Sequence, residues 1–64
     1  MKVGIIANPH KHGSLPALVD LRRALEGHGI KVWLEASTAA LAGEADGIAA
    51  GTFAREVDLA VVIG

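Results

Sequence analysis

Seven consecutive residues, Asn8-Pro9-His10-Lys11-His12-Gly13-Ser14, carry most of the groups in this chain that are suited to holding a ligand. They follow the apolar run Val3-Gly4-Ile5-Ile6-Ala7 and precede a helical pattern, so the loop joins the carboxyl end of a strand to the amino end of a helix. In open α/β sheets ligands bind outside those strand ends, and a helix amino end draws anions through N–H groups that lack helical acceptors. Asn8 and Ser14 supply neutral hydrogen-bonding groups and Lys11 a cation, a donor set that suits a phosphate. A polar turn with Ser14 capping the helix accounts for the same residues without any ligand. Neither a Gly-x-Gly-x-x-Gly run nor a Walker A sequence follows the strand.

The other reactive side chains are dispersed. His10 and His12 have no third ligand close in sequence, and alternate residues of an extended loop point apart, whereas catalytic metals generally take three protein ligands. A solvated loop is the simpler account, and no metal ligand is assigned. His28 suits the negative end of a helix dipole better than the role of a base. Glu56 and Asp58 are read as flanking the start of a strand rather than as an acid/base pair. Trp33 either covers a sheet edge or meets a partner. No nucleophile, base and orienting group come together, so no catalytic residue is assigned.

The elements that must position the loop follow from periodicity. Val3–Ala7 is too short for a helix and is stopped by Asn8-Pro9, which reads as a strand buried on both faces. Leu15, Leu18, Leu21 and Leu25 recur at helical spacing, with Ser14 as cap, Pro16 in the first turn and Gly27 and Gly29 as the stop. Residues 30–35 alternate, Ile30, Val32 and Leu34 on one side and Lys31, Trp33 and Glu35 on the other, as a half-exposed edge strand does. Ser37 or Thr38 is expected to cap a short helix through Ala42, followed by loop, with one further turn from Thr52 to Arg55. Asp58 then leads into Leu59–Ile63, a second strand expected to be doubly buried.

Strand, helix, strand, helix or loop, strand is the pattern of an α/β fold, the start of a doubly wound parallel sheet and of an incomplete nucleotide-binding domain. The two apolar strands should be neighbours, with the alternating strand outside the first. The last strand would then lie on an open edge, which proteins usually cover, so the sequence reads as the beginning of a longer one.

Composition sets limits on class. A chain of 64 residues buries only about 60% of the surface that it exposes when unfolded. With no cysteine, it has neither a disulfide framework nor a thiolate zinc site. A net charge of −1, scattered basic residues and only one Trp and one Phe give no footprint for nucleic acid. The opening apolar run is too short for a signal peptide or a membrane span. A cytoplasmic protein with neither nucleic acid nor membrane as a partner is expected.

The run Val3-Gly4-Ile5-Ile6-Ala7-Asn8-Pro9 with its Leu-striped helix resembles the start of the NAD kinase family. The closing Asp58-Leu59-Ala60-Val61-Val62-Ile63-Gly64 is similar to the strand that in that family runs directly into Gly-Asp-Gly-Thr. The resemblance spans the whole chain but only the opening of the enzyme. It implies residues 1–64 of the α/β nucleotide-binding domain, with the rest of that domain and a C-terminal β-rich domain lying beyond. The family transfers a phosphoryl group from ATP, or polyphosphate, to the adenosine ribose 2′-hydroxyl of NAD, giving NADP, and uses Mg2+. The resemblance implies NAD and ATP as partners and homo-oligomerisation. It matches Gly64 to the first glycine of the Gly-Gly-Asp-Gly motif and Asn8 to the turn beside the nucleotide phosphates. The motif's Asp lies beyond residue 64, so this segment alone is expected to be inactive. Diacylglycerol-kinase-like lipid kinases share both features and are the nearest alternative. A non-catalytic α/β interaction module, pairing through its last strand, is a third.

Overall fold

The computed structural model describes all residues, 1–64. Three parallel strands make one sheet in the order β2-β1-β3, with β1 (Val3–Ala7) in the centre, β2 (Val32–Leu34) on one side and β3 (Leu59–Ile63) on the other. The register sets Val3 opposite Val32 and Leu59, and Ile5 opposite Leu34 and Val61. The fold is a small α/β domain, with the alternating strand outside the first apolar one as its sequence requires.

Helix α1 (Ser14–Gly27) covers one face. Its Leu18 meets Ile5 of β1 and Leu34 of β2, and Ala39 from helix α2 (Ala36–Leu41) completes this cluster. Burying Ile5 and Leu18, exposed by 0% and 1%, contributes about 1.5–3 kcal/mol each. Leu21 and Leu25 pack against the cluster from the same helix. Leu15 does not belong to the buried stripe: it lies 40% exposed, as does Val19, because no element packs over that flank of α1.

The end of α1 explains why β2 is shorter than the alternation predicts. His28 follows the last helical residue, and Gly29 takes φ 76°. Its N–H donates to the Glu26 carbonyl at 3.0 Å, and the Ile30 N–H donates to Leu25 at 3.1 Å. This is a Schellman stop, which requires the left-handed residue that glycine supplies. Ile30 is used in closing the helix, and strand pairing begins only at Val32.

Neither Ser37 nor Thr38 caps α2. Glu35 does, its carboxylate accepting the N–H groups of Ser37 at 2.9 Å and Thr38 at 3.2 Å. The cap frees Thr38 to turn its side chain inward, where it is fully buried. The segment expected to be loop with a short turn from Thr52 holds helix α3, Ala50–Glu56. Ala49 occupies its cap position without a side-chain hydrogen bond, and Phe53, 2% exposed, anchors it.

Phe53 packs on the face opposite α1, because Gly4 and Ile5 point to opposite sides of the sheet. A Cβ built on Gly4 would lie 2.3 Å from Phe53 Cζ and 2.8 Å from Val57 Cγ1. The glycine in the central strand is therefore a matter of close approach rather than of dihedral freedom. At the amino end of the sheet, Lys2 N–H donates to Asp58 Oδ2 at 2.7 Å and Asp58 N–H returns to the Lys2 carbonyl at 2.8 Å. Lys2 Nζ also pairs with Glu56 at 3.3 Å. The two acids thus clamp the start of β3 to β1.

Strand β3 is not doubly buried. Leu59 is 51% and Val62 73% exposed, since neither the outer edge nor the adjoining part of the α3 face is covered. The expected open edge is present.

Candidate phosphate-binding site

The carboxyl ends of β1 and β3 lie side by side, and the loop from residue 8 to residue 13 rises from them to the amino end of α1. Asn8 N–H donates to the Ile63 carbonyl at 3.1 Å, continuing the ladder for one rung beyond β1. Gly64 comes so close that a Cβ there would lie 3.2 Å from Asn8 Cβ. Two residues separated by most of the sequence are thereby brought together.

The Asn8 side chain forms an Asx turn, its Oδ1 accepting the His10 N–H at 3.0 Å, while its carbonyl accepts the Lys11 N–H at 3.1 Å. With Oδ1 engaged, the side-chain NH2 group points its donors away from the turn's own bonds. Lys11 is exposed and forms no ion pair. Its carbonyl accepts the Ser14 N–H at 3.2 Å.

Ser14 is not the helix cap. Gly13 occupies that position at φ 88°, and without a side chain it caps through its carbonyl alone, which accepts the Ala17 N–H at 3.3 Å. Ser14 falls inside the helix, one turn before Leu18 and on the same side, so its hydroxyl is drawn inward. It is 3% exposed, and its oxygen has no hydrogen-bond partner. The hydroxyl is thus enclosed, and the groups that face solvent here are others.

Those others are backbone amides. Pro16 has no N–H and that of Ser14 is taken, but the amides of His12, Gly13 and Leu15 have no acceptor in the protein. N–H groups left free at a helix amino end are able to take an anion. The sequence indicated free N–H groups at this helix end, with Asn8, Lys11 and Ser14 beside them, but not which amides stay unbonded. A glycine directly ahead of the helix, in place of a side-chain cap, was the signal that could have found them.

On the other flank of β1, two further residues bear on the site. Ala7 N–H donates to the Thr38 hydroxyl at 2.9 Å, and that hydroxyl donates to Glu35 Oε1 at 3.2 Å. The Glu35 carboxyl is held below its ordinary range, chiefly by the Ser37 N–H, with Thr38 adding to the effect. It is therefore ionised at neutral pH and a firm acceptor. Neither residue was singled out as a site candidate from the sequence.

The largest hollow, about 620 Å³, lies elsewhere, beside α1 between Leu15, Val19, Arg22 and Glu44. Its acids Glu26 and Glu44 are both engaged by Arg22. Arg22 binds Glu44 through both terminal nitrogens, which raises the guanidinium pKa and lowers that of the carboxyl. Trp33 is flanked by the ammonium groups of Lys31 and Lys2, 4.7 and 5.7 Å from its ring centre. No three His, Asp or Glu side chains gather in a metal-binding group, and no helix is long and apolar enough to cross a membrane.

Comparison with family models, with curated proteins and with solved structures finds no match for this chain. The functional reading accordingly stands on geometry and on the resemblance of its two strand-end motifs.

Proposed function

We propose that this chain supplies the phosphate-binding part of a cytoplasmic phosphotransferase of NAD-kinase type, which makes NADP from NAD with ATP or polyphosphate as donor. One observation carries the reading. Asn8 and Gly64 adjoin at the carboxyl ends of neighbouring parallel strands, and the loop that leaves Asn8 carries unbonded amides at His12, Gly13 and Leu15 into the amino end of a fourteen-residue helix. Phosphoryl transfer depends on positioning and on stabilising charge, and this segment offers both in part. The amides of His12, Gly13 and Leu15, the Asn8 side-chain NH2 and the Lys11 ammonium would hold phosphate oxygens. Gly64 would leave room beside Asn8 for a phosphate to approach the backbone.

The loop holds no carboxylate, so its residues do not fit Mg2+, and no step is assigned to that ion here. No group in the chain is placed to activate a ribose hydroxyl. The 64-residue chain alone is expected to form no NADP from NAD and ATP, and measurable turnover by the pure chain would overturn the assignment of that role to residues outside it. Binding is the positive test. Titration of 15N-labelled chain with MgATP should shift the amide signals of His12, Gly13 and Leu15. The absence of such shifts at millimolar ligand would sink the phosphate reading. Titration with a diacylglycerol in mixed micelles tests the lipid-kinase alternative.

The bare edge of β3 favours a second reading, an interaction module that pairs through that strand. A chain that stays monomeric over a wide concentration range in sedimentation experiments would exclude pairing with itself.

A further inference from the structure

We infer that Thr38, oriented by Glu35, is the positioning residue that fixes the Asn8 turn where it can meet a phosphate, a proposal that rests on the phosphate reading above. The ladder between β1 and β2 ends just short of the turn. Glu35 N–H donates to the Ile5 carbonyl at 3.4 Å. In a parallel ladder the following rung would take the Ala7 N–H to the Glu35 carbonyl. That carbonyl is already engaged, because it accepts the Ala39 N–H at 2.8 Å in the first turn of α2. The sheet therefore runs out of acceptors one residue before the turn.

The Thr38 hydroxyl takes the vacant place. It lies 2.9 Å from the Ala7 nitrogen in a region with almost no exposure, Thr38 at 0% and Ala7 at 2%. A hydroxyl has one proton to give, and here it goes to Glu35 Oε1 at 3.2 Å, which leaves a lone pair for Ala7. Glu35 is itself held by the Ser37 and Thr38 amides. On the opposite flank, Asn8 N–H is bonded to Ile63 at 3.1 Å. Consecutive amides are thus pinned from two sides, Ala7 by α2 and Asn8 by β3, and the turn leaves the sheet from a fixed point. Without the hydroxyl, a buried amide loses its only acceptor, and the end of β1 is free to shift.

Two near-isosteric changes separate positioning from packing. Thr38→Val keeps the shape and removes the hydrogen bond; Thr38→Ser keeps the bond and removes a methyl. We expect Thr38→Val to weaken the MgATP-induced response of the His12, Gly13 and Leu15 amides about tenfold and to speed hydrogen exchange at Ala7, an effect of the size expected for one buried hydrogen bond. Thr38→Ser should stay within about twofold of the unaltered chain, although it leaves a cavity. If Thr38→Ser weakens the response as much as Thr38→Val, packing is responsible and the proposal falls. Equal responses from Thr38→Val and the unaltered chain, with the Ala7 amide exposed, also overturn it while leaving the phosphate reading intact. No response in the unaltered chain, with Ala7 protected, removes the phosphate reading and the proposal together. Should Thr38→Val fail to fold by circular dichroism, Glu35→Gln at its partly exposed position is the second arm. It should give an intermediate weakening, and an unchanged response from it would count against the role assigned to Thr38.

Discussion

The two edges of the sheet are built in opposite ways, although each belongs to a short parallel strand beside β1. The β2 edge is closed by a returning loop: Ile48 N–H donates to the Leu34 carbonyl at 2.9 Å and the Ile48 carbonyl accepts the Ala36 N–H at 2.8 Å. The loop reaches it because Gly47 has no side chain; a Cβ there would lie 2.6 Å from Ala39 Cβ and 2.7 Å from Ala36 Cα. Charged residues, Lys31 and Glu35, flank the strand. The β3 edge receives no returning loop, and the charge at its start, Asp58, is turned inward to the Lys2 N–H. Leu59 N–H and the Ile63 carbonyl pair inward with β1, so by alternation the N–H and C=O groups of Ala60 and Val62 point outward, unpaired. No charge, proline or bulge protects them, whereas such protection is usual on edges that face water. An edge is thus protected by what the chain returns to it, and here only one side receives such cover.

The sharpest test of this contrast is to cut one apolar side chain on each edge strand. Leu34, 6% exposed, belongs to the core cluster, while Val62 is 73% exposed. Leu34→Ala should cost about 2–5 kcal/mol, enough to unfold a domain with so small a core, and Val62→Ala should stay within about 0.5 kcal/mol. Urea denaturation of both variants gives the comparison. Similar losses would mean that β3 is covered in solution and that the two edges are alike.

Closing the gaps that glycine leaves should have the next largest effect. Gly4→Ala drives a methyl into the Phe53 ring, and Gly47→Ala drives one into α2. Each should cost about 1–3 kcal/mol by overpacking, measured by thermal or urea unfolding. Their local consequences should differ. Gly47→Ala is expected to release Ile48 and open the β2 edge, read as faster amide exchange at Ile48. Gly4→Ala should disturb α3 and leave that edge closed.

What the sequence disclosed and what it withheld divide along similar lines. Apolar runs and a Leu-striped helix carry their own periodicity, so the α/β order, the neighbouring of the two apolar strands and the open last edge were all legible. Boundaries were not, because they depend on which residue wins a shared hydrogen-bonding group. Ile30 looks like strand but serves the α1 stop, Glu35 looks like strand but caps α2, and Ser14 looks like a cap but lies behind Gly13. The candidate site shows the same division. The loop itself is visible as a polar interruption between two apolar patterns. The approach of Gly64 to Asn8 and the Thr38 bond to Ala7 join positions 56 and 31 residues apart, and no local pattern encodes such pairings.

Acid should act on the two edges unequally, which gives the smallest of the expected effects and the most local. The folded-state pKa of Glu35 is lowered, first by the Ser37 N–H and then by Thr38, relative to an ordinary value of 4.5. A depressed carboxyl stabilises the fold above its unfolded pKa, and that contribution is lost as pH falls through the lower folded value. Below pH 4.5 the α2 cap should therefore weaken, and with it the Thr38 bond to Ala7 and the cover over β2. Glu44 is lowered in the same sense by Arg22, so Glu35→Gln should remove only part of the acid sensitivity. At neutral pH that substitution should cost about 1 kcal/mol, the usual worth of a helix cap. Amide exchange followed from pH 6 downward should show Ser37, Thr38 and Ala7 loosening ahead of Leu59 and Val61. If β3 opens first, the β2 side is held by packing alone, and the carboxylate that orients Thr38 is dispensable to it.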